Sequence, residues 1–322
     1  MKLVIIIPAH NEESTVGDII SNVPHQIEGI DQIEVVVIND ASSDKTKSAA
    51  ESAGASVISH VRNLGVGAAF HTGIIAALKK KADIIVNIDA DGQFNPEDIP
   101  VLIEPILKGE ASFVTASRFK DPALTPKMPK IKIWGNKRMS QLISFLTGQK
   151  FYDVSCGFRA YSKDTALRLS LFGKFTYTQE TFLDLANKDV PIKEIPIVVK
   201  EERLYGKSSI SSNLWKYAAK TSKIIFRSFR DYKPLRFFGL LSLPIFFIGT
   251  SLETFLFIHY LMTGRFSPHK WAGFSGLGLI LIGIFLLFLG IVADMLDRIR
   301  SNQEEILYYE RKREYEKNKQ YE

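Results

Sequence analysis

The 322-residue sequence has a single cysteine, Cys156, so it cannot form an intramolecular disulfide. A reducing compartment is the natural expectation for such a chain, with Cys156 as a buried, inert thiol. The first residues lack the small-residue cleavage site of a secretory signal, and Met1-Lys2 runs directly into an apolar stretch. We therefore expect a first strand there rather than a targeting segment. No internal repeat or low-complexity tract stands out.

Two common phosphate-binding motifs are also missing. No Gly-x4-Gly-Lys-Ser/Thr loop precedes a predicted helix, which argues against a P-loop kinase. Gly65 and Gly67 form a Gly-x-Gly pair, but the pair neither follows the first strand nor completes the dinucleotide fingerprint. A Rossmann dehydrogenase is therefore not expected.

Basic residues are in excess, but they are not evenly spread. The formal charge is +6 and the sequence pI is about 9.1. The stretch from Lys200 to Arg236 alone holds ten Lys or Arg and three acids. At about 150 residues per domain, the length allows one large α/β domain with an appendage.

Residues 1–116 repeat one pattern: a short apolar run, a polar turn and a segment with helical periodicity. Such alternation is typical of a mainly parallel sheet with helices on both faces. The predicted strands are 3–7, 34–38, 55–59, 84–88 and 112–116, with an edge strand at 192–199, and the predicted helices lie near 13–22, 44–53, 67–80 and 96–107.

The fourth predicted strand ends in two carboxylates, Asp89 and Asp91, with Gly92 and Gln93 directly after them. In open α/β sheets, ligands bind at the carboxyl ends of the strands. Two Asp one residue apart on a turning backbone can reach one hard cation, and oxygen-only ligands favour Mg²⁺ or Mn²⁺ over Zn²⁺. An Asp-x-Asp-Gly sequence is also a common solvated turn, and the motif alone does not separate the two interpretations.

Polar residues follow the first two strands as well. Pro8, Asn11 and Glu12 come at the end of the first strand, and Asp40 follows the second. Both segments also suit a helix N-terminus, where capping and the helix dipole favour such residues. Capping does not explain why these residues and the acidic pair all fall at one edge of the predicted sheet. A carboxylate such as Asp40 there can accept hydrogen bonds from ribose hydroxyls or base N–H groups.

Two apolar stretches, residues 235–262 and 271–296, are each long enough to cross a hydrocarbon core of ~30 Å as helices. Because their connection is short, they predict a hairpin with both chain ends on one side. Basic residues flank the hairpin at Arg227, Arg230, Lys233, Arg236, Arg298, Arg300, Arg311, Lys312 and Arg313, against Arg265 and Lys270 in the connection. The positive-inside rule then places both termini in the cytoplasm. A buried helical hairpin is the competing interpretation.

Basic amphipathic segments precede these spans. Residues 127–138 hold five basic residues and no acid, and apolar residues at helical spacing lie beside them. Residues 211–234 combine an apolar stripe with Lys216, Lys220 and Lys223 on an adjoining one. Such composition is typical of a helix on a membrane surface, although a solvated helix face fits it too. The charged tail at 297–322 fits either a solvated helix or an assembly segment.

A series of motifs lies in order along residues 3–210. They are Pro8 with Asn11-Glu12, Asn39-Asp40 with Ser43-Asp44, Asn63 with Gly65 and Gly67, Asp89 to Gln93, Ser117-Arg118, Asp153 with Gly157-Phe158-Arg159, and Arg203 with Gly206-Lys207-Ser208. Any one of them is unspecific. The ordered set resembles a family-2 glycosyltransferase, more narrowly a polyprenyl-phosphate glycosyltransferase similar to dolichol-phosphate mannose synthase.

The resemblance implies an α/β fold of GT-A type, with a Rossmann-like, mainly parallel sheet at residues 1–210. A juxtamembrane helix at 211–234, two transmembrane helices at 235–296 and a cytoplasmic tail at 297–322 would follow. It further implies a set of site residues: Asp89, Asp91 and Gln93 for Mg²⁺ or Mn²⁺; Pro8, Asn11, Glu12, Asp40 and Asp89 for the nucleotide; Arg118, Lys132, Arg203 and Lys207 for the phosphates; and Asp91, Arg118 and Asp153 for catalysis. Ser209 stands where many relatives carry a basic residue.

The implied reaction is inverting transfer of a hexose from GDP-mannose or a UDP-hexose to a polyprenyl phosphate, dolichyl or undecaprenyl, in the membrane. Such an acceptor is mostly dianionic near neutral pH because its second pKa is ~6, so it needs little general-base help. Asp153 would then orient the sugar, or act as a base for a hydroxyl acceptor. No nucleic acid partner is expected, and the sequence leaves open whether the chain forms a homo-oligomer.

Two other functions are open to a chain of this pattern. A processive polysaccharide synthase would ordinarily carry a Gln-x-x-Arg-Trp motif and more membrane spans, and the sequence has neither. A non-catalytic, membrane-attached nucleotide-sugar-binding protein would be expected to lose the metal carboxylates, yet Asp89 and Asp91 are present.

Overall fold

The computed structural model describes residues 1–170, 177–200, 226, 229–231 and 233–320. Residues 1–214 and 305–322 form one compact unit, here named the sheet unit, and residues 215–304 form a second, the hairpin unit. Several predicted features lie outside the described residues: the phosphate ligands Arg203 and Lys207, and most of the juxtamembrane helix with Lys216, Lys220 and Lys223.

The sheet unit contains a seven-stranded sheet in the order β3-β2-β1-β4-β6-β5-β7. Its strands are β1 (Lys2–Ala9), β2 (Gln32–Asn39), β3 (Ser56–Ser59), β4 (Ile84–Asn87), β5 (Phe113–Ser117), β6 (Arg159–Ser162) and β7 (Ile192–Pro196). All neighbours pair in parallel except β6, which runs antiparallel to β4 and β5. The central β1 is buried from Leu3 to Ala9, as expected for a continuous apolar strand covered on both faces.

Seven α-helices lie in the described part of residues 1–200. They are α1 (Val16–Ser21), α2 (Thr46–Ser52), α3 (Val66–Lys79), α4 (Ile99–Leu107), α5 (Lys130–Thr147), α6 (Lys163–Arg168) and α7 (Thr178–Asn187). Gly73 lets α3 lie close to the sheet, because a Cβ there would come within 2.9 Å of Ile6 Cδ1. The mainly parallel α/β fold expected from the sequence is confirmed.

One strand differs from the expectation. The sequence pattern did not predict β6, which is only four residues long and begins with a fully buried charge, Arg159. A short strand inserted antiparallel between β4 and β5 lacks the apolar run by which the other strands are found. The cost of burying the Arg159 guanidinium is partly offset by cation–π contacts with Phe113, Tyr177 and Phe182, whose ring centroids lie 5.1 to 5.6 Å away.

The strand register brings the predicted site residues to one edge. Ala9 pairs with Asn39 across β1 and β2, and Ile6 pairs with Asn87 across β1 and β4. The segments that follow these three strands therefore leave the sheet at the same carboxyl edge.

The described part of the hairpin unit contains two long helices, α8 (Pro234–Thr263) and the first part of α9 (Lys270–Gln320). Both are long and apolar enough to cross a membrane by length and composition. Helix α9 continues well beyond the predicted span end at 296, and its residues 305–320 belong to the sheet unit. Within the hairpin unit, Gly276, Gly283 and Gly290 recur every seven residues against α8, where a Cβ on each would stand 2.8 to 3.0 Å from α8 atoms. Small residues of this kind let membrane helices approach closely.

Candidate active site

The acidic pair directly follows β4. The Asp89 carboxylate lies against Gly157, where a Cβ would stand 2.6 Å from Asp89 Oδ1 and closer still to Oδ2. Asp91 is 5% exposed, and its Oδ1 accepts a hydrogen bond from the Gln93 backbone N–H at 3.1 Å. The backbone at Gly157 therefore limits where the Asp89 carboxylate can lie, and the Gln93 N–H fixes the position of the Asp91 carboxylate.

The loop that carries the pair is fixed from two sides. Gly92 has a φ of 73°, a conformation that glycine adopts without a Cβ penalty. The Thr15 hydroxyl at the start of α1 donates to the Ala90 carbonyl at 2.6 Å. The Lys200 backbone N–H donates to the Gln93 carbonyl at 3.0 Å. These bonds hold the acidic loop rigidly against the sheet edge.

Asp40, after β2, is buried and organises the loop before α3. Its Oδ1 accepts a hydrogen bond from the Leu64 backbone N–H at 2.9 Å and lies 2.7 Å from His60 Nδ1, and its Oδ2 accepts from the Gly65 N–H at 2.8 Å. Burial alone would raise the pKa of Asp40, but these hydrogen bonds outweigh it and lower the pKa. Asp40 therefore stays ionised at neutral pH and fixes the Asn63–Gly65 segment.

The residues after β1 form hydrogen bonds with the loop after β2. Asn11, at a φ of 56°, accepts a hydrogen bond from the Ser43 backbone N–H at 2.8 Å through Oδ1, and its own N–H donates to Ser42 Oγ at 3.0 Å. The Glu12 backbone N–H donates to Thr46 Oγ1 at 2.9 Å. Pro8 is buried within β1, opposite Ile38. The structure thus brings Pro8, Asn11, Glu12 and Asp40 to one corner of the site.

Arg118, after β5, forms a buried ion pair with Asp153. Arg118 Nε donates to Asp153 Oδ2 at 2.6 Å and Nη2 donates to Oδ1 at 2.9 Å, while Nη2 also donates to Ser155 Oγ at 2.7 Å. Burial opposes the charge on each partner, yet the pair raises the pKa of Arg118 and lowers that of Asp153. Asp89 contributes to the raised pKa of Arg118, so its carboxylate lies within the field of this guanidinium.

The sequence suggested Asp153 as a base or as a residue that orients the sugar, and the structure places its carboxylate on Arg118. The Asp153 side chain has no exposed surface, and both its oxygens are engaged by Arg118. A general base near neutral pH needs a pKa near the working pH, whereas that of Asp153 is lowered. Asp153 instead holds the Arg118 guanidinium in a fixed orientation.

Further residues that sequence reasoning missed support this pair. Glu194 on β7 accepts hydrogen bonds from the backbone N–H groups of Tyr152 and Asp153 at 2.9 and 2.8 Å, and burial raises its pKa. Ser155 Oγ lies 3.1 Å from Asn136 Oδ1, which joins α5 to the ion pair. Lys132 is exposed on the same helix. An isolated Glu in an edge strand carries no signal in the sequence that could have revealed its role.

A buried layer lies behind the acidic pair. Asn87 Nδ2 donates to the Gly157 carbonyl at 2.7 Å and to the Tyr177 hydroxyl at 2.8 Å, and Tyr177 stacks on Phe70 at 4.1 Å. Cys156 is buried, as expected, and burial raises the pKa of its thiol to about 12. Because this layer fixes Gly157, it also fixes the wall against which Asp89 lies.

The residues present fit a divalent cation of the Mg²⁺ or Mn²⁺ type. Asp89, Asp91 and Gln93 offer oxygen donors, which such cations prefer. The part of the chain that the structure describes holds no group of three or more His, Cys, Asp or Glu that could form an all-protein site. Mg²⁺ commonly binds through one or two carboxylates and takes water and substrate phosphate oxygens as its other ligands.

The sheet and its acidic edge define a GT-A-like α/β protein. Among solved structures, the fold matches glucosyl-3-phosphoglycerate synthase from Mycobacterium tuberculosis in complex with Mn²⁺, uridine-diphosphate and glucosyl-3-phosphoglycerate, with a TM-score of 0.54, 22% identity and coverage of 72% of this chain and 79% of that chain. The family model described as Glycosyl transferase family 2 matches residues 4–168, and the chain belongs to this family.

Two curated relatives indicate which glycosyltransferases of this family the chain is similar to. Over 213 residues the chain is 34% identical to UDP-N-acetylglucosamine--dolichyl-phosphate N-acetylglucosaminyltransferase of Methanococcus voltae, covering 60% of this chain and 83% of the relative. Over 223 residues it is 25% identical to polyprenol monophosphomannose synthase of Mycolicibacterium smegmatis, covering 66% of this chain and 83% of the relative. The chain is therefore similar to polyprenyl-phosphate glycosyltransferases.

Proposed function

We propose that this chain transfers a hexose from a nucleotide-diphosphate sugar to a polyprenyl phosphate, with inversion, at the cytoplasmic face of a membrane. The observation that carries the proposal is the acidic pair at the sheet edge: Asp89 lies against Gly157 and within the field of Arg118, and Asp91 accepts a hydrogen bond from the Gln93 backbone. Membership of family 2 and the polyprenyl-linked names of the relatives support it.

The donor would occupy the corner between β1, β2 and β4. Asp89, Asp91 and Gln93 would hold Mg²⁺ or Mn²⁺, and the solved neighbour with Mn²⁺ and uridine-diphosphate supports this choice. The metal, when bound, supplies positive charge to the diphosphate leaving group. Pro8, Asn11, Glu12 and Asp40 would bind the nucleoside. Asp40 Oδ2 accepts one hydrogen bond from the described residues, so it retains capacity for a ribose hydroxyl or a base N–H.

Arg118 is the proposed ligand of the acceptor phosphate. Asp153 and Ser155 engage Nε and Nη2, while Nη1 forms no hydrogen bond to any residue in the described ranges, and the side chain is 17% exposed. A guanidinium fixed in this way presents a permanent charge to a phosphate oxygen. Lys132 on the neighbouring α5 would add to this charge, as would Arg203 and Lys207.

The chemistry follows from these charges. A phosphate oxygen of the acceptor attacks the anomeric carbon, the bond from that carbon to the nucleoside diphosphate breaks, and its electron pair leaves with the diphosphate. The acceptor brings its own nucleophilic dianion, so no protein base is required. Arg118 orients the attacking acceptor phosphate. The positive charge that the metal supplies when bound stabilises the nucleoside diphosphate as its negative charge develops.

Helix α5 presents a membrane-facing surface in this proposal. Ile131, Trp134 and Phe145 are 58, 57 and 76% exposed, and basic side chains lie on the same helix at Lys130, Lys132, Lys137 and Arg138. Exposed aromatic and aliphatic residues beside Lys and Arg suit the interface of an anionic bilayer. This surface would bring the neighbouring Arg118 to the headgroup level.

The combined change Trp134→Glu and Phe145→Glu is expected to raise KM for polyprenyl phosphate in vesicles by about tenfold or more, because two apolar anchors are lost. Nucleotide-sugar binding, measured by calorimetry, should not change. Val101→Glu, at a 50% exposed apolar residue of α4, is the matched control. Equal effects of the control and the double variant would contradict the role of α5.

The order of the two units along the chain supports the proposal that both ends of the hairpin lie on the same side of the membrane. Residues 305–320 follow the hairpin in sequence and pack within the sheet unit, whose other part precedes it. Both ends of the hairpin therefore connect to the same unit, as an even number of membrane crossings requires. The excess of basic residues flanking the hairpin supports a cytoplasmic location for that side.

Membranes that contain the protein should incorporate label from one of a panel of radiolabelled nucleotide sugars into polyprenyl phosphate. Metal chelation, or Asp91→Asn, is expected to lower incorporation by roughly 1,000-fold, because charge on the leaving diphosphate is no longer stabilised. Mn²⁺ or Mg²⁺ should restore the chelated sample only. In sealed vesicles, only the inside-out preparation should respond to added donor. Retention of the donor's anomeric configuration in the product would overturn the in-line mechanism.

A further inference from the structure

The last turns of α9, residues 305–320, pack onto the sheet unit through one face. Tyr308, Arg311 and Tyr315 follow helical spacing along this face, and the two tyrosines are only 6 and 5% exposed. On the other faces, Ile306 and Tyr309 are 60 and 59% exposed. A solvated helix, one of the two interpretations of the tail composition, would not bury two tyrosines in this way.

Arg311 binds the end of α6. Its Nη1 donates to the carbonyls of Leu167 and Leu169 at 3.1 and 3.0 Å. The last carbonyls of a helix lack partners within the helix, and a cation there complements the helix dipole. Arg311 also lies near α3, since burial and then its charge lower the pKa of His71. A residue more than 140 positions away in sequence therefore caps α6.

The two tyrosines extend the contact on either side of Arg311. The Tyr308 hydroxyl donates to Asp164 Oδ1 at 3.3 Å, and the Arg168 guanidinium lies 4.2 Å from the centre of its ring. The Tyr315 hydroxyl donates to the Ala82 carbonyl at 3.3 Å, under the ammonium of Lys163 at 5.1 Å. Ala82 lies two residues before β4, the strand that leads to the acidic pair.

We infer that residues 305–320 form a C-terminal clasp, a structural part of the sheet unit that holds α6 and the turn before β4 in place. Two segments of the sequence, residues 1–214 and 305–322, therefore form the sheet unit. The second segment follows the hairpin in sequence and covers the end of α6. This inference does not rest on the proposed transfer reaction. It assigns an intramolecular partner to the face formed by α6 and the Ala82 turn, namely the chain's own tail.

Hydrogen exchange on the full-length protein in nanodiscs tests the clasp. Arg311→Met and Tyr315→Ala are expected to speed exchange in peptides spanning 163–170 and 78–84 by about tenfold or more, because the local opening free energy falls. Arg313→Met and Tyr309→Ala, which change the same residue types on exposed faces of the helix, are the controls. They should leave both peptides unchanged.

The variant Tyr315→Phe distinguishes the loss of one local contact from a general loss of the fold. Tyr315→Phe keeps the ring and removes only the bond to the Ala82 carbonyl, so faster exchange should be confined to the peptide at 78–84. Equal exchange in the Arg311→Met, Tyr315→Ala and control proteins would overturn the inference.

Discussion

Gly157→Ala is expected to lower sugar transfer by roughly 100-fold or more, because it displaces a carboxylate without unfolding the protein. An added Cβ would stand 2.6 Å from Asp89 Oδ1 and closer to Oδ2, so the carboxylate must rotate away. The end of an Asp side chain can move at modest cost, and we therefore expect little change in melting temperature. The metal would lose the geometry in which Asp89 and Asp91 act together.

Titration with Mn²⁺ separates this effect from general damage. The concentration of Mn²⁺ that gives half-maximal transfer should rise in Gly157→Ala, whereas Gly17→Ala, where an added Cβ meets nothing within 4 Å, should behave as the wild type. Wild-type Mn²⁺ dependence in Gly157→Ala would show that Asp89 does not hold the metal from this position.

The role of Gly157 shows where sequence reasoning stopped. The alternation of apolar runs and polar turns predicted five strands and their common edge, and the acidic pair indicated a candidate site on that edge. Those signals are local in sequence. Gly157 faces Asp89 only because β6 inserts antiparallel beside β4, and that pairing depends on a four-residue strand with a buried arginine. A pattern of residue types does not show that Gly157, distant in sequence, lies against the Asp89 carboxylate.

The tail and the Arg118 ion pair illustrate the same limit. The two candidate membrane spans were predicted from their length and apolar composition, which are properties of a single segment. The docking of Tyr308, Arg311 and Tyr315 depends on the position of α6, and a charged segment with few apolar residues gives no local signal of a partner. Likewise, Asp153 was predicted as a site residue, but its burial beside Arg118 follows from loops that meet only in the folded chain.

Asp153→Asn is expected to destabilise the protein by about 3–5 kcal/mol, since it leaves the Arg118 charge without its buried partner. It should also lower kcat/KM for polyprenyl phosphate by about 100-fold, because the guanidinium loses its fixed orientation. The stability that the pair contributes is present above the ordinary pKa of Asp and is lost as pH falls through the lowered pKa of Asp153. At neutral pH the wild-type pair is therefore intact. Chemical denaturation and steady-state kinetics measure the two effects.

A double variant distinguishes a positioning role from a base. Arg118→Met combined with Asp153→Leu removes both charges, so it should recover much of the lost stability, because apolar replacement of a buried pair is often neutral. It should recover none of the activity, since no cation then meets the acceptor phosphate. If Asp153 only positions Arg118, residual activity of Asp153→Asn keeps the shape of the wild-type pH profile. If the acidic limb of that profile disappears in Asp153→Asn but persists in Arg118→Met, Asp153 is the base and the positioning role fails.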